Sequence, residues 1–375
     1  MKKFLLLSTV AVMITVFANA TIRRVGFFGP YIAGQDYSTF ALAYTAASPG
    51  DTILVFPGIV NITQTITKKL IIFSVGDYLD PTTTPPGNAS LQAATGIATV
   101  NSVVFAAGSD GSLISGFYGG TYYVGASNIT ICRNWNLTVV LANSLATYSN
   151  LQILDNYWVW VSSGGINGSN ITNMNVSNNF MYAFSTPPGN TYSGNIGYNV
   201  WAFDNTQNAG GANGGASTMS QNTSIELGLG AYLLQNNIFV NSAGTTVASN
   251  YNYFTFSNGS NSIFNYNMAL ETAIPINWGT GTGNVITPIA NASSIFAAFP
   301  AIATSSPDAR YKLGAGSPAL TVGSGSKPIG MYGGTAPYKL SVIPSIPTIY
   351  KLSSLQGNNP TGTTITINVS TRGNN

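Results

Sequence analysis

A repeat of 22 residues runs through the middle of the sequence and limits the folds open to the chain. Residues 127–135 (SNITICRNW) return 22 positions later as residues 149–157 (SNLQILDNY), with Asn at the same two places. A third copy at 169–180 keeps the period to within two residues, and weaker copies follow at 234–239 and 261–267. A fixed period of this length predicts a solenoid, in which each repeat buries its apolar face by stacking on the next.

The residue types within the repeat decide which solenoid is expected. The chain holds 41 glycines, is rich in asparagine and has no run of long helical patterns, which excludes helical repeats. The frame of a leucine-rich repeat is also missing, so a parallel β-helix remains, with coils about 4.8 Å apart. Asn134, Asn156 and Asn178 are then expected to stack as an amide ladder, whereas most other asparagines occupy turns.

Both ends of the repeat region carry distinct patterns. Residues 38–47 predict a helix with Ser38 as its N-cap, followed by a strand at 51–57. Such a helix would cover the unpaired edge of the first coil. After the repeat region the chain becomes extended, and the alternation at 363–370 predicts a C-terminal strand tail over 341–375.

Residues 1–20 have the pattern of a bacterial secretory signal peptide. Lys2 and Lys3 precede an apolar run from Phe4 to Phe17, and the expected cleavage follows Ala20. The apolar run is shorter than the ~20 residues that a membrane helix needs, and prolines break the later apolar stretches. The mature chain is therefore expected to be secreted or displayed on the cell surface, without a membrane span.

Four further segments resemble those of a known superfamily. The turn and strand at 48–58 resemble the first coil of the pectate-lyase-like, right-handed parallel β-helix superfamily, and residues 235–239 (QNNIF) are similar to its recurrent coil motif. Residues 317–320 (SPAL) and 329–334 (IGMYGG) resemble the terminal coil of such proteins secreted by Bacteroidetes. The chain departs from that pattern at Pro328, where an acidic residue is usual.

The resemblance covers about residues 30–340 and implies the fold and the domain organisation. We expect an all-β protein, a right-handed parallel β-helix solenoid over 21–340, with a capping helix at 38–47 and the strand tail at 341–375. Enzymes with this fold are mostly polysaccharide lyases and glycoside hydrolases, but a shared fold does not fix function.

The composition excludes several kinds of chemistry. Without histidine no imidazole can act as base or metal ligand, and with Cys132 as the single cysteine no intrachain disulfide or cysteine-ligated metal cluster can form. The net charge of +3 includes Lys2 and Lys3, which leaves eleven basic and ten acidic residues in the mature chain. Nucleic-acid binding is therefore not expected, nor is a metal or another cofactor.

Lyase activity on acidic sugars is also disfavoured. It requires several cationic side chains or a metal to stabilise an enolate-like transition state. From Ile71 to Ala309 the only basic residue is Arg133, and Asp77 and Asp80 form the only close acidic pair.

One carboxylate pair, Asp204 and Glu226, has the 22-residue spacing of the repeat and flanks the Gly-rich stretch 210–215. A glycoside hydrolase needs two carboxyl groups about 5 to 9.5 Å apart, and residues one period apart become neighbours in a solenoid. The two residues are the runner-up catalytic candidates. The favoured interpretation is that they are unrelated turn or surface carboxylates with an accidental spacing.

Binding without catalysis is the favoured function. Trp135, Trp158 and Trp160 fall in adjacent coils beside asparagines, and neutral sugars prefer a flat aromatic face with amide partners. The alternative is burial of these rings in the interior; Trp158 and Trp160 should in either case share one side of their strand. Arg133 and Asp155, also 22 residues apart, are expected to form an exposed ion pair or, alternatively, to clamp a substrate.

The sequence therefore predicts a secreted or cell-surface, non-catalytic β-helix with a structural or adhesive role. Its expected partner is a neutral polysaccharide or cell-surface glycan. The runner-up is a carbohydrate-active enzyme, a polysaccharide lyase or a glycoside hydrolase, that uses Asp204 and Glu226.

Overall fold

A computed structural model of the 375-residue chain shows a predominantly β protein with mostly parallel sheets and few helices. The structure describes residues 20–26, 31–76, 97–141, 147–162, 170–172, 174–185, 191–193, 201–204, 222–224, 233–240, 252–255, 263–270, 281–287, 292–297, 308, 311–333, 337–343, 345, 348–354 and 367–372. The signal peptide predicted at 1–20 lies outside these residues, apart from Ala20.

The strands, numbered along the chain, form two large parallel sheets and several small ones. The first sheet contains β1 (Ile22–Val25), β2 (Asp36–Tyr37), β3 (Thr52–Val55), β5 (Ile71–Phe73), β7 (Leu113–Ser115), β9 (Thr130–Cys132), β12 (Gln152–Leu154) and β15 (Asn175–Ser177). The second contains β4 (Ile62–Ile66), β6 (Val100–Phe105), β8 (Thr121–Val124), β10 (Trp135–Leu141), β13 (Tyr157–Ser162), β16 (Asn179–Ser185), β18 (Trp201–Asp204), β21 (Ile238–Val240), β24 (Met268–Leu270) and β25 (Val285–Thr287). The smaller parallel sheets are β11 (Thr147–Ser149) with β14 (Asn170–Thr172) and β17 (Thr191–Ser193), β19 (Asn222–Ser224) with β22 (Asn252–Thr255), and β20 (Leu233–Gln235) with β23 (Ile263–Asn265).

From β3 to β10 the chain alternates between the two large sheets, and neighbouring strands in a sheet come from successive passes of the chain. Ile131 pairs with Ile153, and Ile153 with Val176, so equivalent residues of successive passes lie on one another. Aliphatic residues at alternate strand positions meet in one hydrophobic cluster, which we call the interior cluster. Its members from three successive passes include Ile131, Leu137, Val139, Ile153, Val159, Val161, Val176 and Met181.

The first helix, α1 (Phe40–Ala46), packs against β1, β2 and β3 at the start of the first sheet. Its N-cap is Thr39, whose hydroxyl accepts a 3.3 Å hydrogen bond from the first turn, so the predicted N-cap Ser38 is wrong by one residue. At the other end the Lys68 ammonium donates to two carbonyl oxygens, at 2.6 and 2.8 Å. Lys68 thus satisfies backbone acceptors that the end of a helix leaves open.

Two ion pairs fix strand β1. Arg23 Nε lies 2.8 Å from Asp51 Oδ2, and Arg24 Nε lies 2.6 Å from Asp36 Oδ1. Burial alone would raise the pKa of both carboxyls, but hydrogen bonds from the arginines and from backbone N–H groups hold the pKa of Asp36 and Asp51 below the ordinary value. Both carboxylates therefore stay ionised into the acidic range.

A ladder of buried asparagines forms one corner of the stacked passes, but its third member differs from the prediction. Asn156 Oδ1 accepts from the backbone N–H of Asn134 at 2.9 Å and from its side-chain amide at 3.2 Å. Asn179 Oδ1 accepts the same two bonds from Asn156, both at 2.9 Å. Asn178 is therefore the wrong residue, because the third step along the chain is 23 residues instead of 22. The same pair of bonds recurs in a second ladder, formed by Asn237, Asn267 and Asn284.

The remaining described elements lie towards the C-terminus. They are helix α2 (Ala292–Ile295), two 3₁₀ turns at Pro318–Leu320 and Leu340–Val342, and an antiparallel pair formed by β26 (Thr348–Ser354) and β27 (Ile367–Arg372). This pair lies within the tail predicted at 341–375. Among the residues that the structure describes, no helix has the length and apolarity needed to cross a membrane.

Candidate functional site

The residue that precedes each asparagine of the first ladder has a left-handed backbone. Its φ is 52° at Arg133, 54° at Asp155 and 56° at Asn178. This conformation costs most L-residues about 1 to 2 kcal/mol, so Arg133 and Asp155 occupy it against local preference. Because Arg133 and Asp155 are equivalent in adjacent passes, their side chains leave the corner side by side.

Arg133 and Asp155 form the predicted ion pair, but the prediction that it is exposed is wrong. Arg133 Nε lies 3.6 Å from Asp155 Oδ2, and the side chains are only 11% and 14% exposed. Arg133 Nη1 also donates to the carbonyl oxygen of Ile343 at 3.2 Å. Burial raises the pKa of Asp155 to about 7, although the charges of Arg133 and Lys339 oppose this rise. The pair is thus covered by residues near the C-terminus instead of being presented to a ligand.

Next to this pair, three aromatic rings stack in a column. The ring centroids of Trp135 and Tyr157 are 4.3 Å apart, and those of Tyr157 and Phe180 are 4.8 Å apart. Phe180 and Met181 are neighbours on one strand and point to opposite faces. Since Met181 belongs to the interior cluster, the aromatic column lies on the other face of the sheet, outside it. These rings and the C-terminal residues that contact them form a second hydrophobic cluster, the outer cluster.

The C-terminal segment, residues 311–333 and 337–343, covers the outer cluster. Tyr311 stacks on Phe180 with a centroid distance of 4.5 Å. Asn178 donates its side-chain amide to the carbonyl oxygens of Met331 and Gly333, both at 3.1 Å. We call this segment the C-terminal cover.

The contacts of the C-terminal cover give its direction. Ser324 donates its backbone N–H to Asn236 Oδ1 at 2.9 Å, whereas residues 331–333 contact Asn178 and Ile343 contacts Arg133. Later residues of the cover therefore contact earlier passes of the chain.

A glycine in the cover shows how closely the cover fits. Gly330 has a φ of 81°, and a Cβ there would lie 2.7 Å from Ile238 Cδ1. Both the backbone conformation and the space require glycine at this position of the IGMYGG motif.

The three tryptophans predicted as sugar platforms have different environments. Trp135 is 8% exposed and lies in the outer cluster, so it is not open to a ligand. Trp158 and Trp160 are both half-buried, whereas Tyr157 and Val159 between and beside them are buried, as expected for residues on opposite faces. Two half-exposed rings therefore remain as candidates.

Trp158 lies beside two polar partners that the sequence reasoning missed. Trp158 (φ 63°) and Asn136 (φ 56°) occupy equivalent places in adjacent strands, since each lies between residues that pair across β10 and β13. Asn136 is exposed and donates its amide to the half-buried Tyr118 hydroxyl at 3.3 Å. The 22-residue shift links Asn136 to Trp158 and could have found it. Tyr118 carried no such signal, because its pass is shorter: the corner bond from Phe117 to Asn134 spans only 17 residues.

The runner-up catalytic residues are not brought together in the described part of the chain. Asp204 ends strand β18, where its backbone pairs with Val240, and its side chain is not among the described groups. Glu226 lies outside the described residues, as do Asp77 and Asp80. Within the described residues, no three His, Cys, Asp or Glu side chains come close enough to hold a metal ion.

Cys132, next to Arg133, is half-buried rather than fully buried as expected. Burial raises the pKa of its thiol to about 11, with nearby Asp155 adding to the rise. The neutral thiol is a weak nucleophile, so the cysteine adds no reactive group to the site.

Comparison with protein-family models, with curated proteins and with solved structures finds no match for this chain. Its function must therefore be inferred from its own residues and their geometry.

Proposed function

We propose that the chain is a secreted or cell-surface, non-catalytic, right-handed parallel β-helix of the pectate-lyase-like kind, with a structural or adhesive role and affinity for neutral glycans. The parallel pairing of successive passes and the asparagine ladders support the β-helix. A right hand is the ordinary sense of parallel crossover connections. The signal-peptide pattern at residues 1–20 supports secretion.

The observation that carries the binding proposal is the grouping of Tyr118, Asn136 and Trp158. It combines a partly exposed indole ring with an exposed amide and a phenol hydroxyl, the combination that suits the apolar face and the hydroxyls of a sugar. The ionised groups of the neighbourhood, Arg133 and Asp155, pair with each other beneath the C-terminal cover. The surface therefore favours a neutral sugar over a charged one.

The left-handed backbone of Trp158 adds to this interpretation. A bulky residue with φ near 63° is unusual and costs free energy, and such strain is found more often at functional positions. The ring is held in place by Phe180, whose centroid lies 5.7 Å away. A fixed ring loses little entropy when a sugar stacks on it.

A glycan array with the mature protein, followed by calorimetry on the best neutral ligand, tests the proposal. Trp158→Ala should weaken binding at least ~10-fold, and Asn136→Gly, which keeps the left-handed backbone, about threefold. The matched control is Tyr123→Ala, a half-buried aromatic of the same sheet away from the site, which should bind as the wild type does.

Two results would contradict the proposal. The first is no neutral glycan binding on the array, or equal affinity of Trp158→Ala and wild type. The second is product release from a polysaccharide panel that Asp204→Asn or Glu226→Gln abolishes, which would replace binding by catalysis.

A further inference from the structure

The C-terminal cover contains an open groove of about 430 Å³ that is separate from the Tyr118, Asn136 and Trp158 site. Its walls are mainly aliphatic and come from Leu313, Leu320, Pro328, Pro337 and Leu340. A volume of this size is typical of sites for small organic ligands, which are usually apolar with a few polar groups that orient the ligand. The groove therefore offers an apolar body of ligand a place to bind.

Two lysines, Lys312 and Lys339, line the same groove. Neither donates a hydrogen bond or forms a salt bridge with the described residues, and Lys312 is exposed. The nearest carboxyls are engaged elsewhere: Asp308 Oδ2 accepts from the Tyr338 hydroxyl at 2.8 Å, and Asp155 pairs with Arg133. The groove thus has two cationic groups and no carboxylate in its lining.

The charge of the surrounding sequence points the same way. From residue 309 to the C-terminus the chain has six basic residues and no acidic one. Between Ile71 and Asp308, by contrast, Arg133 is the only basic residue among eight acidic ones. An anion is therefore attracted to the C-terminal part of this nearly neutral protein.

We infer that this groove binds a small amphipathic carboxylate, a ligand with an aliphatic chain and an anionic head. The chain would lie against Leu313, Leu320 and Leu340, and the head would pair with Lys312 and Lys339. Aliphatic walls offer few partners for sugar hydroxyls, which distinguishes this ligand from the neutral glycan proposed for the other site.

Calorimetry of the full mature chain with octanoate and decanoate, both below their micelle concentrations, tests the inference. Decanoate should bind up to about tenfold more tightly than octanoate, because two more methylenes are buried. Lys312→Gln and Lys339→Gln should each weaken decanoate binding about tenfold, and 1-decanol should bind more weakly than decanoate. Lys327→Gln is the matched control, since Lys327 is exposed and lies in the cover but does not line the groove.

Three outcomes would overturn the inference. They are an equal loss in Lys327→Gln, which indicates unspecific attraction; no dependence on chain length; and binding only to anionic phosphatidylglycerol vesicles, which indicates a lipid surface. Trp158→Ala should leave decanoate binding unchanged. Failure of the glycan proposal and failure of this one are therefore distinguishable.

Discussion

The interior cluster and the outer cluster are both buried, but they are assembled from different parts of the chain. The interior cluster joins residues paired in register between successive passes, such as Ile131 with Ile153. The outer cluster joins the aromatic column to residues far along the chain, as in the stacking of Phe180 on Tyr311 at 4.5 Å. The first can form pass by pass from nearest neighbours, whereas the second requires the C-terminal cover to return over earlier passes.

The largest effect is expected at Asn156, because the asparagine ladder belongs to the nearest-neighbour part of the structure. Asn156→Ala removes the acceptor for two Asn134 groups and the donor to the Ile131 carbonyl at 2.9 Å. Each buried group left unpaired costs about 1 to 3 kcal/mol, so we expect the free energy of unfolding to fall by about 3 to 5 kcal/mol. Urea unfolding followed by circular dichroism measures this.

The control for Asn156 is an exposed asparagine pair. Asn128 Oδ1 accepts a 2.9 Å bond from Asn150 on the surface, and Asn128→Gly keeps the φ of 60°. This variant should lose less than about 1 kcal/mol. Similar losses in the two variants would mean that the ladder does not hold the passes together.

The second prediction concerns the outer cluster. Tyr311→Ala should lower the free energy of unfolding by about 3 kcal/mol, because it leaves a cavity between Phe180 and Phe296. If the cover loosens before the interior, the variant should bind a hydrophobic dye while its far-ultraviolet dichroism remains native. Tyr31→Ala, at a residue 73% exposed, should do neither. Loss of dichroism together with dye binding would show that the two clusters unfold as one unit.

The repeat made much of the interior predictable, because nearest-neighbour stacking leaves a period in the sequence. Asn134 and Asn156 were identified from that period, but Asn178 was not the next rung. Two passes contain an extra left-handed residue after the first outer aromatic, at Asn136 and Trp158, and the third has none. A register shift of one residue, visible only once strands are paired, moves every later assignment.

The candidate site was predictable only where it repeats. The 22-residue spacing identified Arg133 and Asp155 as partners, but nothing near them in sequence indicated their burial. That burial depends on Lys339 and Ile343, which reach the pair from about 200 residues away. A contact with no period and no local motif leaves no signal in a single sequence.

The third prediction tests whether the covered corner responds to pH while the interior does not. The folded pKa of Asp155, about 7, lies above its ordinary 3.8, so between these values the folded state holds a proton that the unfolded state has lost. The free energy of unfolding should therefore fall as pH rises from about 4 to 7, by up to ~1.4 kcal/mol per pH unit and about 2 kcal/mol in all. Asp36 and Asp51, whose pKa values are lowered, act below this window and in the opposite direction.

Urea unfolding between pH 5 and 8 measures this effect. The difference between wild type and Asp155→Asn should change with pH across the window, because the variant cannot titrate at this position. A difference that stays constant would show that Asp155 remains ionised throughout.

The smallest effects should have opposite signs in the two clusters, when a tyrosine of each loses its hydroxyl. Tyr122 is fully buried in the interior cluster, and its hydroxyl has no hydrogen-bond partner among the described residues. Tyr338 is buried in the outer cluster, but its hydroxyl donates to Asp308 Oδ2 at 2.8 Å. Tyr122→Phe should raise the free energy of unfolding by about 1 kcal/mol, because an unpaired polar group leaves the core, and Tyr338→Phe should lower it by about 1 to 2 kcal/mol. Urea midpoints at pH 7 give both values. Destabilisation by Tyr122→Phe would mean that the interior contains a partner for this hydroxyl and is less purely apolar than the pairing of its passes implies.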